Sequence, residues 1–179
     1  MENSPIAAIL PLPKHVCMVC LGNICRSPVA EYSLRHYLAQ SKYPRIKAIL
    51  VESAGLQATS SEMSAFSRDF LVIKKMDPIG FQPKGVFNGF FDRFDLIIVM
   101  ELYMKDSILE RYTLQTTFEK QSPLTQKVFT LLELVGERGD IEDPYGNDRE
   151  YYWRVLTQID NACYKLVNLW EKRIIANPY

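Results

Sequence analysis

The stretch Val19-Cys20-Leu21-Gly22-Asn23-Ile24-Cys25-Arg26-Ser27-Pro28 contains a cysteine and an arginine that are separated by five residues. Residues 15–21, which precede the loop, are rich in β-formers, and residues 28–43 have the apolar spacing of a helix. We therefore expect a loop between a strand and a helix. Loops of this kind bind anions, because backbone N–H groups at the start of the helix point toward the ligand.

The start of the helix follows from two adjacent residues. Ser27 is a good N-cap, and Pro28 suits the first helical position, where its missing N–H would be unpaired in any case. The helix is thus predicted to begin just after Arg26. Its free N–H groups and the loop amides would surround one tetrahedral oxyanion. The residues predicted to bind phosphate are Leu21, Gly22, Asn23, Ile24, Cys25 and Arg26.

The side chains of this loop suit nucleophilic chemistry. A helix start and a nearby guanidinium favour the thiolate of Cys20, which would act as the nucleophile. Arg26 supplies a planar fork that holds two phosphoryl oxygens, and Gly22 permits a sharp turn or a close approach of backbone to ligand. A structural interpretation remains open, in which Cys20 and Cys25 are buried thiols beside a strand.

Composition limits the classes of function. A length of 179 residues suits one domain. The 21 basic and 21 acidic residues balance, so no net positive charge would attract nucleic acid or an anionic membrane. No apolar run is long enough to span a bilayer, and the N-terminus lacks an export pattern. Four cysteines without zinc-ligand spacing indicate reduced thiols and no metal. We expect a cytoplasmic protein without a cofactor.

The rest of the chain alternates strands and helices. Strand candidates after the first are residues 46–52, 95–100 and 128–135, and helical stretches are 61–75, 101–112 and 147 onward, with a polar loop over 113–126. This order predicts an α/β three-layer sandwich with a central, mostly four-stranded parallel sheet and helices on both faces. Residues 1–14 are expected to form an extended arm, and residues 15–179 a single domain.

The loop motif, Val-Cys-x-Gly-Asn-x-Cys-Arg-Ser-Pro near the N-terminus, resembles that of the low-molecular-weight protein tyrosine phosphatase family, and the resemblance extends over about residues 15–172. It implies hydrolysis of phosphotyrosine and aryl phosphate monoesters on protein substrates through a phosphocysteine intermediate. Phosphate or a similar oxyanion would occupy the loop. The resemblance also implies a network in which Asn23, Ser27 and Ser53 support the loop. Family members usually add a histidine beside this asparagine, and residues 80–89 contain none.

A second chemical feature is Glu142-Asp143-Pro144-Tyr145, on the loop after the fourth strand candidate. A carboxylic acid held over the scissile oxygen would protonate the leaving group and later activate water. Asp143 is preferred over Glu142 because the family motif aligns there, although Asp-Pro-x-Gly is also a common turn. Tyr145 and Ile24 would form the wall against a flat substrate ring.

The remaining cysteines divide into two kinds. Cys25 shares the loop with Cys20 and would trap an oxidised Cys20 as a disulfide, a role that the resemblance also implies. A small loop residue without redox function is the alternative. Cys17 lies in a strand and Cys163 on the apolar stripe of the last helix, so both are expected to be inert.

Three other functions remain to be weighed on the same scaffold. A protein arginine phosphatase would carry threonine at the position of the apolar Ile24. An arsenate reductase would need further cysteines to relay a disulfide, and the chain between Cys25 and Cys163 has none. A phosphate-binding regulatory module with a decayed active site is disfavoured by the intact Cys20, Arg26 and Asp143, but the missing histidine keeps it open.

Overall fold

The computed structural model describes residues 5–113 and 124–177 and contains one parallel sheet. Its four strands are ordered β2-β1-β3-β4, so β1 and β3 are central. In the register, Cys20 lies opposite Gly55, and Val19 lies opposite both Ala54 and Val99. The strands are β1 His15–Cys20, β2 Leu50–Gly55, β3 Leu96–Val99 and β4 Val128–Thr130. The predicted four-stranded parallel sheet is confirmed.

Seven helices accompany the sheet in the described part of the chain. They are α1 Ile6–Ile9, α2 Arg26–Gln40, α3 Pro44–Lys47, α4 Ala65–Ile73, α5 Leu102–Thr113, α6 Leu131–Leu134 and α7 Arg149–Ala176. Short 3₁₀ turns span Phe90–Arg93 and Leu124–Gln126. No helix in residues 5–113 or 124–177 has the length and apolar character that crossing a membrane requires.

The strand order places helices on both faces. The chain passes from β1 through α2 to β2 on one side of the sheet centre, and from β3 through α5 to β4 on the other. Right-handed crossovers in opposite directions put α2 and α5 on opposite faces, and α7 packs across α2. The three-layer sandwich is therefore confirmed. The direction of connection reverses between β1 and β3, and such a reversal leaves a ligand crevice at the carboxyl ends of these strands.

The start of α2 differs from the prediction. The helix begins at Arg26 with Cys25 as its N-cap residue, so Ser27 is a helical residue and not the cap. The Ser27 hydroxyl lies instead 3.0 Å from Cys20 Sγ and donates to the carbonyl of Ala54. The N-cap assignment was wrong because the hydroxyl is used for tertiary contacts with the loop and with β2.

Three other segments also differ. The second strand starts at Leu50, not at residue 46, because Pro44 opens the helical turn α3. The fourth strand ends at Thr130, whose hydroxyl accepts from the N–H of Glu133 and caps α6. In the arm that we expected to be extended, Ile6–Ile9 is a helical turn, and α1 packs against α7. The polar loop over residues 113–126 falls mostly outside the described residues.

Candidate active site

The loop between β1 and α2 is held tightly against the end of β2. The N–H of Leu56 donates to the carbonyl of Cys20 over 3.0 Å, and that of Gln57 to Leu21 over 2.8 Å. A Cβ added to Gly55 would lie 2.7 Å from the Leu21 carbonyl oxygen, so only glycine fits there. Of the two roles expected of Gly22, the sharp turn falls instead on Asn23, with a φ of 54°. The close packing of this loop against β2 depends on Gly55.

The candidate nucleophile lies at the base of a cavity of about 380 Å³. Cys20 is 2% exposed, and its Sγ accepts a hydrogen bond of 3.3 Å from the N–H of Asn23. Its contact with the Ser27 hydroxyl gives the sulfur a second polar neighbour. The cavity is lined by Cys20, Leu21, Gly22, Ile24, Cys25, Arg26, Gln57, Thr59, Ser60, Asp143 and Tyr145. The predicted nucleophile, arginine and acid therefore line one cavity.

The predicted supporting residues form a connected network around Asn23. The side-chain amide of Asn23 donates to Ser27 Oγ over 2.9 Å and to Ser53 Oγ over 2.8 Å, and its Oδ1 accepts from the N–H of Lys84 over 2.9 Å. Ser53 in turn donates to the buried carboxylate of Glu31. The carbonyl oxygen of the Asn23 side chain therefore has a partner from residues 80–89, the stretch that contains no histidine. Because this hydrogen bond is made by the backbone, no residue type in the sequence indicated it.

Arg26 is held by three oxygen acceptors although only 1% of its side chain is exposed. Nη1 donates to Glu101 and, over 2.9 Å, to the carbonyl of Ile141, and Nη2 donates to Asp143 Oδ2 over 2.7 Å. Burial opposes the charge, but Cys20, Asp143 and Glu101 together raise the pKa of the guanidinium. In the described part of the chain, Arg26 Nε is the one buried side-chain polar atom without a partner.

Glu101 is a site residue that sequence reasoning missed. It follows Met100 directly after β3, at the switch point between β1 and β3. The sequence carried a signal, since a carboxylate at the carboxyl end of a central parallel strand lies where ligands bind. The helix predicted over residues 101–112 begins instead at Leu102, which leaves Glu101 at the end of the strand connection.

The loop after α6 distinguishes the two neighbouring carboxylates. Asp143 is 39% exposed, and its second oxygen, Oδ1, accepts from the N–H of Tyr145 over 3.1 Å. Glu142 instead accepts from the hydroxyl of Tyr151 and is not part of the cavity lining. The geometry therefore places Asp143 at the cavity.

The walls of the cavity include predicted and unpredicted residues. Ile24 and Tyr145 line it as expected, and Tyr145 is 67% exposed. Gln57, Thr59 and Ser60, which follow β2, also contribute to the lining and give it hydroxyl and amide groups. The sequence did not indicate this polar wall, because exposed polar residues after a strand are typical of any loop.

The cysteines are all unpaired in the structure. Burial raises the pKa of the Cys25 thiol, and its Sγ lies 3.1 Å from the hydroxyl of Tyr152. Cys17 and Cys163 are fully buried, and burial raises the pKa of each thiol strongly. Within residues 5–113 and 124–177 there is no group of His, Cys, Asp or Glu that could hold a metal ion.

This arrangement can perform acid–base and nucleophilic chemistry on an oxyanion. Cys20, Arg26 and Asp143 line one cavity together with loop residues Leu21, Gly22, Ile24 and Cys25. A tetrahedral anion in that space would be held by charge-assisted hydrogen bonds while the thiolate attacks.

Comparison with known proteins places these features in a family. The family model described as low molecular weight phosphotyrosine protein phosphatase matches residues 15–176. The probable low molecular weight protein-tyrosine-phosphatase EpsP of Ralstonia nicotianae is 30% identical over 91% of this chain and 97% of that protein. The low molecular weight protein-tyrosine-phosphatase PtpB of Staphylococcus epidermidis is 32% identical over 80% of this chain and 90% of its own length.

Solved structures of phosphatases share the fold of this chain. The YwlE arginine phosphatase from Geobacillus stearothermophilus superposes with a TM-score of 0.76 at 26% identity, covering 92% of this chain and 97% of that chain. The low molecular weight protein tyrosine phosphatase from T. tengcongensis superposes with a TM-score of 0.72 at 30% identity, covering 86% and 97%.

Proposed function

Because this chain belongs to the low-molecular-weight protein-tyrosine-phosphatase family, we propose that it hydrolyses phosphotyrosine monoesters of protein substrates in two steps, through a phosphocysteine at Cys20. The observation that carries the proposal is the common cavity of Cys20, Arg26 and Asp143. In addition, Nε of the same Arg26 is a buried donor without a partner. A buried donor of this kind is costly unless a ligand satisfies it. A phosphoryl oxygen is the ligand that its position suits.

In the first step, Cys20 Sγ attacks phosphorus and the bond to the tyrosine oxygen breaks. Asp143, in its acid form, gives its proton to the departing phenolate. Arg26 and the N–H groups of residues 21–26 hold the equatorial oxygens, on which charge accumulates in the transition state. Tyr145 and Ile24 flank the aromatic ring of the substrate.

In the second step, Asp143 is ionised and takes a proton from water, which attacks phosphorus and breaks the S–P bond. Inorganic phosphate and the Cys20 thiolate are released. The hydroxyl of Ser27 lies 3.0 Å from the sulfur, so its one proton would turn from the Ala54 carbonyl to that thiolate as it leaves. No step requires a metal or an organic cofactor.

We also propose that Cys25 protects Cys20 from irreversible oxidation. Peroxide would oxidise the Cys20 thiolate to a sulfenic acid and be reduced to hydroxide; the Cys25 thiol would then attack that sulfur, forming a disulfide and releasing water. Both residues line the same cavity. The unpaired thiols of all four cysteines suit the reducing cytoplasm, where we place the protein.

Arginine phosphatase is the second candidate, because the YwlE arginine phosphatase shares the fold at a TM-score of 0.76. The discriminating experiment measures phosphate release from phosphotyrosine, phosphoserine and phosphoarginine peptides, without metal and under reducing conditions, by wild type and Cys20→Ser. We expect Cys20-dependent release from phosphotyrosine. Preferential release from phosphoarginine would replace the tyrosine assignment, and no release from any peptide would indicate a phosphate-binding module.

A further inference from the structure

A second, smaller cavity of about 280 Å³ adjoins the candidate active site. The two cavities share Leu21 and Gln57, so one open surface leads from Cys20 across the loop to α5. The shared wall is fixed, because the N–H of Gln57 donates to the carbonyl of Leu21 over 2.8 Å. The cavity is lined by Leu21, Leu56, Gln57, Tyr103, Ser107, Glu110 and Arg111.

The floor of this side cavity is apolar. Leu21 and Leu56 are only half-buried, and Tyr103 is 46% exposed, so all three offer apolar surface to solvent. Burial and the nearby Glu101 carboxylate raise the pKa of Tyr103, with smaller effects from Arg26 and Asp143. Tyr103 follows Glu101, an acceptor of Arg26, by two positions in the chain, and it lines the side cavity. A substrate segment next to the phosphorylated residue would meet this floor.

The rim of the side cavity is polar and includes an exposed carboxylate. The hydroxyl of Ser107 donates to the carbonyl of Tyr103 over 2.8 Å, so its proton is already used within α5. Arg111 already has an interaction partner. Glu110 is exposed and makes no hydrogen bond or ion pair with any described residue. The rim therefore offers a carboxylate above an apolar floor.

We propose that this side cavity is a substrate subsite that takes a basic side chain, arginine or lysine, adjacent to the phosphorylated residue. Basic side chains combine an aliphatic stem with a charged head. The stem would lie on Leu21, Leu56 and Tyr103, and the head would pair with Glu110. This subsite rests on the proposed function, because only a peptide bound at Cys20 would present a neighbouring residue to it.

The test uses phosphotyrosine peptides that differ only in the two residues flanking the phosphotyrosine: arginine, norleucine or glutamate. For wild type, we expect kcat/KM to be about threefold higher with arginine than with norleucine, the scale of one exposed ion pair, and lowest with glutamate. The ratio of arginine to norleucine should fall with increasing salt, since exposed charges are screened.

Two variants assign this preference to the rim. In Glu110→Gln the ratio of arginine to norleucine should fall to about one, because the isosteric amide has no charge. Asp106→Asn is the matched control: it removes the same charge from α5 at an exposed residue outside the cavity lining, and the ratio should stay that of wild type. A ratio that is unchanged in Glu110→Gln, or the absence of an arginine preference in wild type, would overturn the subsite.

A further measurement separates this proposal from the proposed function. Hydrolysis of a small aryl phosphate, which has no flanking residues, reports on the function alone. The affinities of Cys20→Ser for the same peptides report on the subsite without turnover. If the aryl phosphate is not hydrolysed while the arginine peptide still binds more tightly than the norleucine peptide, the function is wrong and the subsite holds; equal affinities overturn the subsite.

Discussion

Arg26 Nη2 donates to Asp143 Oδ2 across 2.7 Å, so the side chain proposed to hold the phosphoryl group and the side chain proposed to move the proton are directly paired. Oδ1 of the same carboxyl group accepts from the N–H of Tyr145, so both of its oxygens are hydrogen-bond acceptors in the structure. An acceptor is what the second step requires, in which Asp143 takes a proton from water. For the first step, the carboxyl must carry a proton and face the leaving oxygen.

The role of Asp143 is tested with Asp143→Asn. We expect hydrolysis of aryl phosphates with poor leaving groups to slow by roughly 10²- to 10⁴-fold, the usual contribution of a general acid. Esters with good leaving groups should be affected much less in the first step, because they depart without a proton. The measurement is the dependence of the phosphorylation rate on the leaving-group pKa in wild type and in the variant.

The matched control is Glu142→Gln, since this neighbouring carboxylate accepts from Tyr151 and does not line the cavity. Its leaving-group dependence should be that of wild type. If Glu142→Gln and Asp143→Asn had the same steep dependence, the acid would be wrongly assigned.

Glu101 is expected to position Arg26. In Glu101→Gln, Nη1 keeps the carbonyl of Ile141 but loses a charged acceptor, so the guanidinium is less firmly held. We expect inhibition by inorganic phosphate to weaken by about tenfold, because losing one charged partner of a buried pair costs more than 1 kcal/mol. The measurement is the inhibition constant of phosphate, with Glu133→Gln, a carboxylate that pairs with Lys105, as the control. An unchanged constant would show that Glu101 does not position the arginine.

Asn23 is expected to hold the loop through both its backbone and its side chain. Asn23→Ala loses three hydrogen bonds and leaves a non-glycine residue at a φ of 54°, so it should destabilise the protein by about 2 kcal/mol or more. Asn23→Gly removes the same hydrogen bonds but accepts the positive φ. Thermal unfolding should place Asn23→Gly between wild type and Asn23→Ala. Equal melting temperatures for wild type and Asn23→Ala would contradict the network.

Glu31 connects this network to pH. Burial raises its pKa above its ordinary value of 4.5, with opposing effects from Ser53 and Arg35. The folded protein then binds the proton more tightly than the unfolded chain, so this contribution to stability is present below pH 4.5 and is lost as the pH rises through the raised pKa. In Glu31→Gln that dependence should disappear.

The check for Glu31 is a comparison of melting temperatures. As the pH rises from about 4 to 7, the melting temperature of wild type should fall relative to that of Glu31→Gln, as linkage requires. A difference between the two proteins that stays constant over this range would show that Glu31 does not titrate as described.

Much of the site could be predicted because its chemistry is concentrated in short stretches. Residues 20–27 carry the nucleophile, the arginine and the helix start, and they join β1 to α2. Asp143 is more than one hundred residues away, yet its loop could be placed because parallel strands gather their carboxyl ends at one edge. The buried apolar run of β3 is equally local, and it was located correctly.

The parts that were not predicted depend on tertiary contacts or on overlooked caps. Ser27 was assigned to a cap by residue type, but the loop needed its hydroxyl beside Cys20. Thr130 and Glu133 have the spacing of a capping box, a signal that predicts the end of β4 at Thr130 and the start of a helix there. The N–H that donates to Asn23 Oδ1 belongs to the backbone of Lys84, and a backbone donor leaves no pattern in the sequence.

In the proposed mechanism the phosphoryl group is transferred from the substrate to the sulfur of Cys20. The direct measurement mixes excess phosphotyrosine peptide with the protein, quenches in acid within the first turnover, and maps the added phosphoryl group by peptide mass spectrometry. In wild type we expect one phosphoryl group, on Cys20, and none on the other cysteines. The Cys25→Ser variant should carry the same adduct on Cys20. Phosphate release without an adduct on Cys20, or an adduct on another residue, would contradict the mechanism.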